Sequence, residues 1–262
     1  MRWRAGSLLD RDAERTGIDA KANHRAGRRA GACDSRLPEE VGGSVAWDGP
    51  APLTMPAELA PIRVVHRLEP EDQARANFYA VLAALFADAP DASLLRVIGA
   101  AEPLADAESG TLPHAWNTLV EACRAMDAEA ARQEYVDLFV GTGKSEVNLH
   151  ASHWATGFMM EKPLVALRDE LAGLGLGRLP RSNLLEDHAA ALFETMRLLI
   201  EGGEHGPPAS LAVQRGFFER NLAFWIDDCC NAISECPLAN FYLRVAQFAH
   251  TFVAVERDSL AM

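Results

Sequence analysis

Residues 134–143 read Glu-Tyr-Val-Asp-Leu-Phe-Val-Gly-Thr-Gly, an apolar and aromatic helical stripe that ends on two glycines. Tyr135, Leu138 and Phe139 fall at i, i+3 and i+4, one face of a helix. Asp127 can cap that helix upstream, and Gly141 and Gly143 stop it. A tyrosine at the edge of such a stripe can line a groove, its ring apolar and its hydroxyl wet. Core packing is the competing reading, and the stronger one for Leu138.

The same pattern continues on both sides. Glu69-Pro70-Glu71-Asp72 opens a helix carrying Phe78, Leu82, Leu85 and Phe86, with proline and acids suited to a first turn. Asp91 caps a second helix with Leu94, Leu95 and Ile98 inward, and Trp116, Leu119, Val120, Cys123 and Met126 mark a third. Further helices are predicted over about 152–171, 183–200, 210–233 and 238–255, with a loop over 141–152. No alternating Val/Ile-rich run or Asn-Gly hairpin signal appears. The fold class is all-α, and 49% hydrophobic residues are ample for a core.

Residues 1–62 lack any sustained apolar period, so a poorly ordered N-terminal extension is expected there, with the helical domain over 63–262. Met55 is a candidate alternative start. Residues 1–62 carry nine of the 25 basic and nine of the 37 acidic side chains, so the net charge of −12 falls on residues 63–262. A domain that acidic repels a phosphate backbone and suits a partner with arginines. No nucleic-acid partner is expected. No stretch has the roughly 20 apolar residues of a bilayer span, so no membrane insertion is expected. Arg28-Arg29 is followed by Ala-Gly-Ala-Cys-Asp-Ser in place of an apolar export region. Five cysteines without paired spacing fit reduced thiols, and the expected location is the cytoplasm.

The enzyme-like motifs fail on spacing. Gly141-Thr142-Gly143-Lys144-Ser145 would be a phosphate loop only with glycine at 138, which is Leu138, and after a strand. His150 and His153, and the cluster Cys229, Cys230 and Cys236, lack paired metal-ligand spacing. No catalytic residue, metal or cofactor is assigned.

Asn183-Leu-Leu-Glu186-Asp187-His188 is the second informative stretch. Asn183 and Glu186 read as a capping box at a helix start, with Asp187 favoured by the dipole. That leaves His188, which as a neutral, exposed imidazole could hydrogen-bond a peptide. Substitution of Asp187 or His188 is then expected to weaken binding while the fold changes little. A metal-dependent helical hydrolase using Glu186, Asp187 and His188 is the enzyme alternative, and a general helical adaptor is the other.

Together these stretches resemble the TorD/DmsD/NarJ family of molybdoenzyme maturation chaperones. The resemblance rests on Glu134-Tyr135-Val136-Asp137-Leu138-Phe139, Gly141-Thr142-Gly143, the Ser152 to Trp154 region and Glu186-Asp187-His188. The helices around Phe78 to Phe86 and Phe241 to Phe248 are also similar, so coverage is roughly residues 70–256. Thr142 replaces the usual proline, and the acid-acid-histidine form looks most like the branch associated with formate dehydrogenase. The resemblance implies no enzyme activity. It implies binding of the leader or N-terminal segment of a molybdopterin oxidoreductase catalytic subunit, to assist folding and cofactor insertion. Carried over by position, the peptide-binding groove would involve Tyr135, Leu138, Phe139, Trp154, Glu186, Asp187 and His188. Monomer and swapped dimer are both compatible with the sequence.

Overall fold

Pro70 sets the first turn of α1 (Pro70–Ala87), whose inward face buries Tyr79, Leu82, Leu85 and Phe86. The computed structural model describes residues 68–262, apart from 142, 160–161, 179–181 and 204–205. The extension expected over 1–62 lies outside the described residues, as do Thr142 and Met160.

Nine further α-helices follow among the described residues: α2 (Ala92–Gly99), α3 (Leu112–Ala125), α4 (Ala128–Tyr135), α5 (Ala151–Thr156), α6 (Lys162–Gly173), α7 (Ala189–Glu201), α8 (Leu211–Asn221), α9 (Ile226–Glu235) and α10 (Phe241–Ala261). Caps read from the sequence are in place. Asp91 accepts from the Leu94 amide, and Asp127 from the Glu129 and Ala130 amides. No strand forms among the described residues beyond two isolated bridges, His150–His188 and Gly203–Gly206. No helix there is long and apolar enough to cross a membrane. The all-α expectation holds.

α1 packs along α7, and α10 packs on α3 and α9. Aromatic rings fill the centre. Phe78 meets Trp116 and Phe248 at ring centroids of 5.2 Å each, and Tyr79 meets Phe252 edge-on at 4.8 Å.

Three helix boundaries differ from the sequence reading. The helix expected over 152–171 is two, because Gly157 at φ 81° ends α5 in a left-handed cap and α6 restarts at Lys162. The helix expected over 210–233 breaks between Asn221 and Ile226. There Trp225 leaves helical geometry (φ −137°, ψ −23°) to bury its indole, whose Nε1 donates to the Asn221 carbonyl at 2.8 Å. The helix expected from Asn183 begins at Ala189, so the Asn183–Glu186 capping box does not form. The backbone of 187–189 pairs instead with 149–151: the Ala151 amide donates to the Asp187 carbonyl and the Ala189 amide to the Leu149 carbonyl.

The 134–143 stretch is a structural joint. Glu134 accepts from the backbone amides of Asn240, Phe241 and Tyr242 at 2.8, 3.0 and 2.7 Å, capping α10 from 106 residues away. α4 then widens into a π-helical turn over Val136–Val140. Gly141, at φ 64°, closes it, and a Cβ there would lie 2.3 Å from the Lys144 carbonyl oxygen.

Candidate functional site

Asp187 is the centre of the polar cluster the sequence pointed to, and it is buried, 2% exposed. Its Oδ2 accepts from the Ser152 hydroxyl at 2.5 Å and the Ser152 amide at 3.1 Å, which ties the loop before α7 to the first turn of α5. Its Oδ1 has no hydrogen-bond partner among the described residues. His188, 5% exposed, is the N-cap of α7 and accepts from the Ala190 amide through Nδ1 at 3.2 Å. The His150 ring lies edge-on to it at 4.9 Å. His150 is held in turn by the Asn148 side chain, whose backbone carbonyl accepts from Trp154 Nε1 at 2.8 Å. Trp154 stacks on buried Trp225 at 6.3 Å.

The expectation of an exposed His188 is therefore corrected. Its imidazole caps a helix from inside, because a neutral ring can offer Nδ1 to an orphan amide where an imidazolium would oppose the dipole. Burial, and then neighbouring His150, push its pKa down to about 3. Burial also lowers that of His150; Asp187 opposes the shift and His153 adds to it. Substitution of Asp187 or His188 therefore perturbs packing as well as any contact, against the expectation of an unchanged fold.

A pH signature follows. The unfolded histidine takes up a proton below about 6.5 while the folded one stays neutral to about 3. The unfolded state thus binds more protons in that window, and stability falls as pH falls, by about 1.4 kcal/mol per unit. His188 should cost the wild type about 2 kcal/mol at pH 5 relative to pH 7.5. His188→Asn keeps an N-cap acceptor and removes the titration. Urea unfolding at both pH values should show a clearly smaller acid loss for the variant; equal losses would mean that His188 titrates normally.

Glu186 has charged partners of its own. Its carboxylate meets Arg168 at 2.9 Å and Arg178 at 3.6 Å. Burial opposes ionisation, but these arginines prevail and hold it below the usual carboxylate range. Glu186, Asp187 and His188 thus bond to different residues, and the described residues contain no group of three acids, histidines or cysteines placed for a metal ion. The geometry gives the hydrolase alternative no support.

Tyr135, Leu138 and Phe139 make contacts of their own. Tyr135 is buried, its hydroxyl donating to the Phe86 carbonyl at 3.2 Å, and burial, then Asp88, raise its pKa to about 12. Leu138 is 0% exposed, and Phe139 is half-buried against Tyr242 at 4.9 Å. Among the described residues no hydrogen bond, ion pair or ring contact joins these three to Trp154, Asp187 or His188.

What lies beside Asp187 is a cavity of about 270 Å³ whose lining comes from elements that local spacing does not bring together. Ser152 and Asp187 line it, with Leu167 and Glu170 from α6, Arg220 from α8 and Phe224 from the turn beyond. Glu170 accepts from Arg220 at 2.6 Å and from Asn221 at 3.0 Å. Phe224 is 47% exposed, and Phe158 and Val165 of the α5–α6 segment are also exposed. Phe224, exposed at the edge of a cavity that Asp187 and Ser152 also line, can take up an apolar side chain of a bound segment.

Residues 105–231 match the model of the nitrate reductase delta subunit family. No curated protein matches the chain. Among solved structures, a candidate redox enzyme maturation protein from Archaeoglobus fulgidus is 16% identical, covering 77% of this chain and 100% of that one, with a TM-score of 0.46. The matched residues 105–231 carry the α4 joint, the Asp187–Ser152 fastening and the cavity wall, and they are what this chain shares with the nitrate reductase delta subunit family of NarJ/TorD-type maturation chaperones.

Proposed function

We propose that this protein binds the leader or N-terminal segment of a molybdopterin oxidoreductase catalytic subunit in the cytoplasm, and keeps the subunit open for cofactor insertion. Formate dehydrogenase is the client whose chaperone branch the Glu186-Asp187-His188 form resembles most. The observation that carries the reading is a buried carboxylate, Asp187, beside a cavity edged by exposed Phe224, within the stretch that matches this family's model. An extended segment would lay its apolar side chains on Phe224, Phe158 and Val165 and turn a donor toward Asp187. Trp154, Asp187 and His188 then form or support the wall of the groove. Glu186, already held by two arginines, contributes to it indirectly. Tyr135, Leu138 and Phe139 are assigned to the frame behind it. A segment that orders on binding loses entropy, so modest affinity is expected.

The test is affinity capture from the native cytoplasm with the tagged full chain and its Phe224→Ala variant. A molybdopterin oxidoreductase catalytic subunit should be recovered with the wild type and depleted at least several-fold with the variant. Its repeated absence, with the bait folded and the client expressed, would overturn the reading.

A further inference from the structure

We propose that a second cavity, between the end of α3 and the start of α10, is a docking site for an acidic segment of a partner protein. The segment sets one apolar side chain in the cavity and the side-chain carboxylate of the next residue on Arg244.

Ala122, Ala125 and Met126, at the end of α3, line one side of this cavity of about 210 Å³. Asn240, Phe241 and Arg244, at the start of α10, line the other. It shares no lining residue with the cavity beside Asp187. Its volume lies below the ~300–1,000 Å³ typical of small-molecule sites and suits a single side chain. The lining is apolar apart from Asn240 and Arg244.

Those two side chains select the chemistry. The chain has 37 acidic and 25 basic side chains, and Arg75, Arg132 and Arg197 each have a carboxylate on them. Arg244 does not: among the described residues its half-buried side chain bonds only to the neutral Gln247 Oε1, at 3.0 Å. The exposed Asn240 side chain makes no hydrogen bond there. A guanidinium has five N–H donors, so most of those on Arg244 are left for an incoming acceptor, and a carboxylate can take two in parallel.

The position of Arg244 adds to this. It lies one turn into α10, where a cation opposes the helix dipole. Glu134 already accepts from the Asn240, Phe241 and Tyr242 amides, so the helix end itself offers an anion little. The attraction falls to Arg244, a residue that works against its own helix and has no carboxylate of the described chain to explain it. A free small carboxylate would leave the apolar floor bare, whereas a segment covers it. Leu238, 50% exposed and within about 7 Å of Asn240 by chain length, can meet a flanking residue.

The test is a titration of the full chain followed by nitrogen–proton spectra of its arginine side chains, with the Arg244 signal identified by its loss in Arg244→Gln. The probes are end-capped serine-flanked peptides with a central Leu-Glu, Leu-Gln or Ala-Glu. The Leu-Glu peptide should shift the Arg244 signal saturably and bind about fivefold more tightly than either of the others, the upper end for a partly exposed ion pair. Measured by peptide anisotropy, Arg244→Gln should erase the difference between Leu-Glu and Leu-Gln. Ala125→Phe, which fills the cavity from an exposed position, should erase that between Leu-Glu and Ala-Glu. Equal binding of Leu-Glu and Leu-Gln by the wild type, or a preference that survives Arg244→Gln, would overturn the assignment. Acetate that shifts Arg244 at the same concentration as the Leu-Glu peptide would reduce the site to a non-specific anion contact. Tighter binding of a peptide ending in a free leucine carboxylate would overturn the side-chain source. Urea unfolding checks that both variants fold, and the wild-type peptide comparison decides without them. Client capture with Phe224→Ala reports on the other cavity, so this assignment and the proposed function can fail separately.

Discussion

Replacing Glu256 by alanine is expected to lower the unfolding free energy by about 3–5 kcal/mol, the cost of stranding a buried charge. Glu256 lies on α10 and is 1% exposed. Its Oε1 accepts from Arg75 Nε at 2.7 Å, and its Oε2 from Arg75 Nη2 and the Tyr79 hydroxyl at 3.0 Å each. Arg75 also donates to Asp72 at 2.7 Å and to Gln214 of α8 at 3.1 Å, so one guanidinium fastens α1, α8 and α10. Burial alone would lower the pKa of Arg75, but the bonds and charge of Glu256 more than reverse this and keep it cationic. Without Glu256 the charge stays on a side chain only 16% exposed, and the buried Tyr79 hydroxyl loses its acceptor. Glu256→Gln should lose less, since it keeps one acceptor oxygen. Removing both charges together, as Arg75→Met with Glu256→Met, should recover most of the loss. Urea unfolding of the single and double variants measures this; a loss below about 1 kcal/mol for Glu256→Ala would mean that water, not Glu256, satisfies Arg75.

This network shows where sequence reading stops. Arg75 and Glu256 are 181 residues apart, and each alone reads as a solvated charge on a helix. What could be read was local. Pro70, Asp91 and Asp127 announce helix starts because their side chains act within one turn, and the apolar spacing of α1 and α3 follows from one buried face. At the start of α7 a local signal lost to a long-range one. Asn183 and Glu186 have capping-box spacing, yet pairing of 187–189 with 149–151 moved the start of α7 to Ala189. Glu134 stood out as part of a signature, but its work as the cap of α10 depends on a helix that begins at Phe241.

The candidate site divides the same way. Asp187 and His188 could be singled out because an acid next to a histidine at a helix start is unusual locally, and Trp154 only through the family resemblance. Glu170, Arg220 and Phe224 carry no such mark. They are ordinary charged and apolar helix residues until α6 and α8 bring them to Asp187. The exposure expected for His188 failed for a related reason. Sequence shows that the imidazole lies near a helix N-terminus, but whether it points to water depends on His150 and the 149–151 backbone lying over it.

Leu138→Ala is expected to cost about 2–5 kcal/mol, as large-to-small changes in a closed core do. Leu138 is 0% exposed within the π-helical turn, and its carbonyl accepts from the Val147 amide at 3.0 Å, so the turn and the following loop hold its backbone in place. A site fixed at both ends collapses poorly around a cavity, which places the cost toward the upper part of that range. Partner capture per folded molecule, measured well below the melting temperature of the variant, should be unchanged. Phe224→Ala should do the reverse: its ring is half in solvent, so stability should move by less than about 1 kcal/mol while capture falls. The two substitutions together separate frame from groove. Loss of capture with unchanged stability in Leu138→Ala would put the 134–143 stretch on the partner-facing surface. The joint between α4 and α10 would then have to open when the client binds, because no closed form of it exposes that side chain.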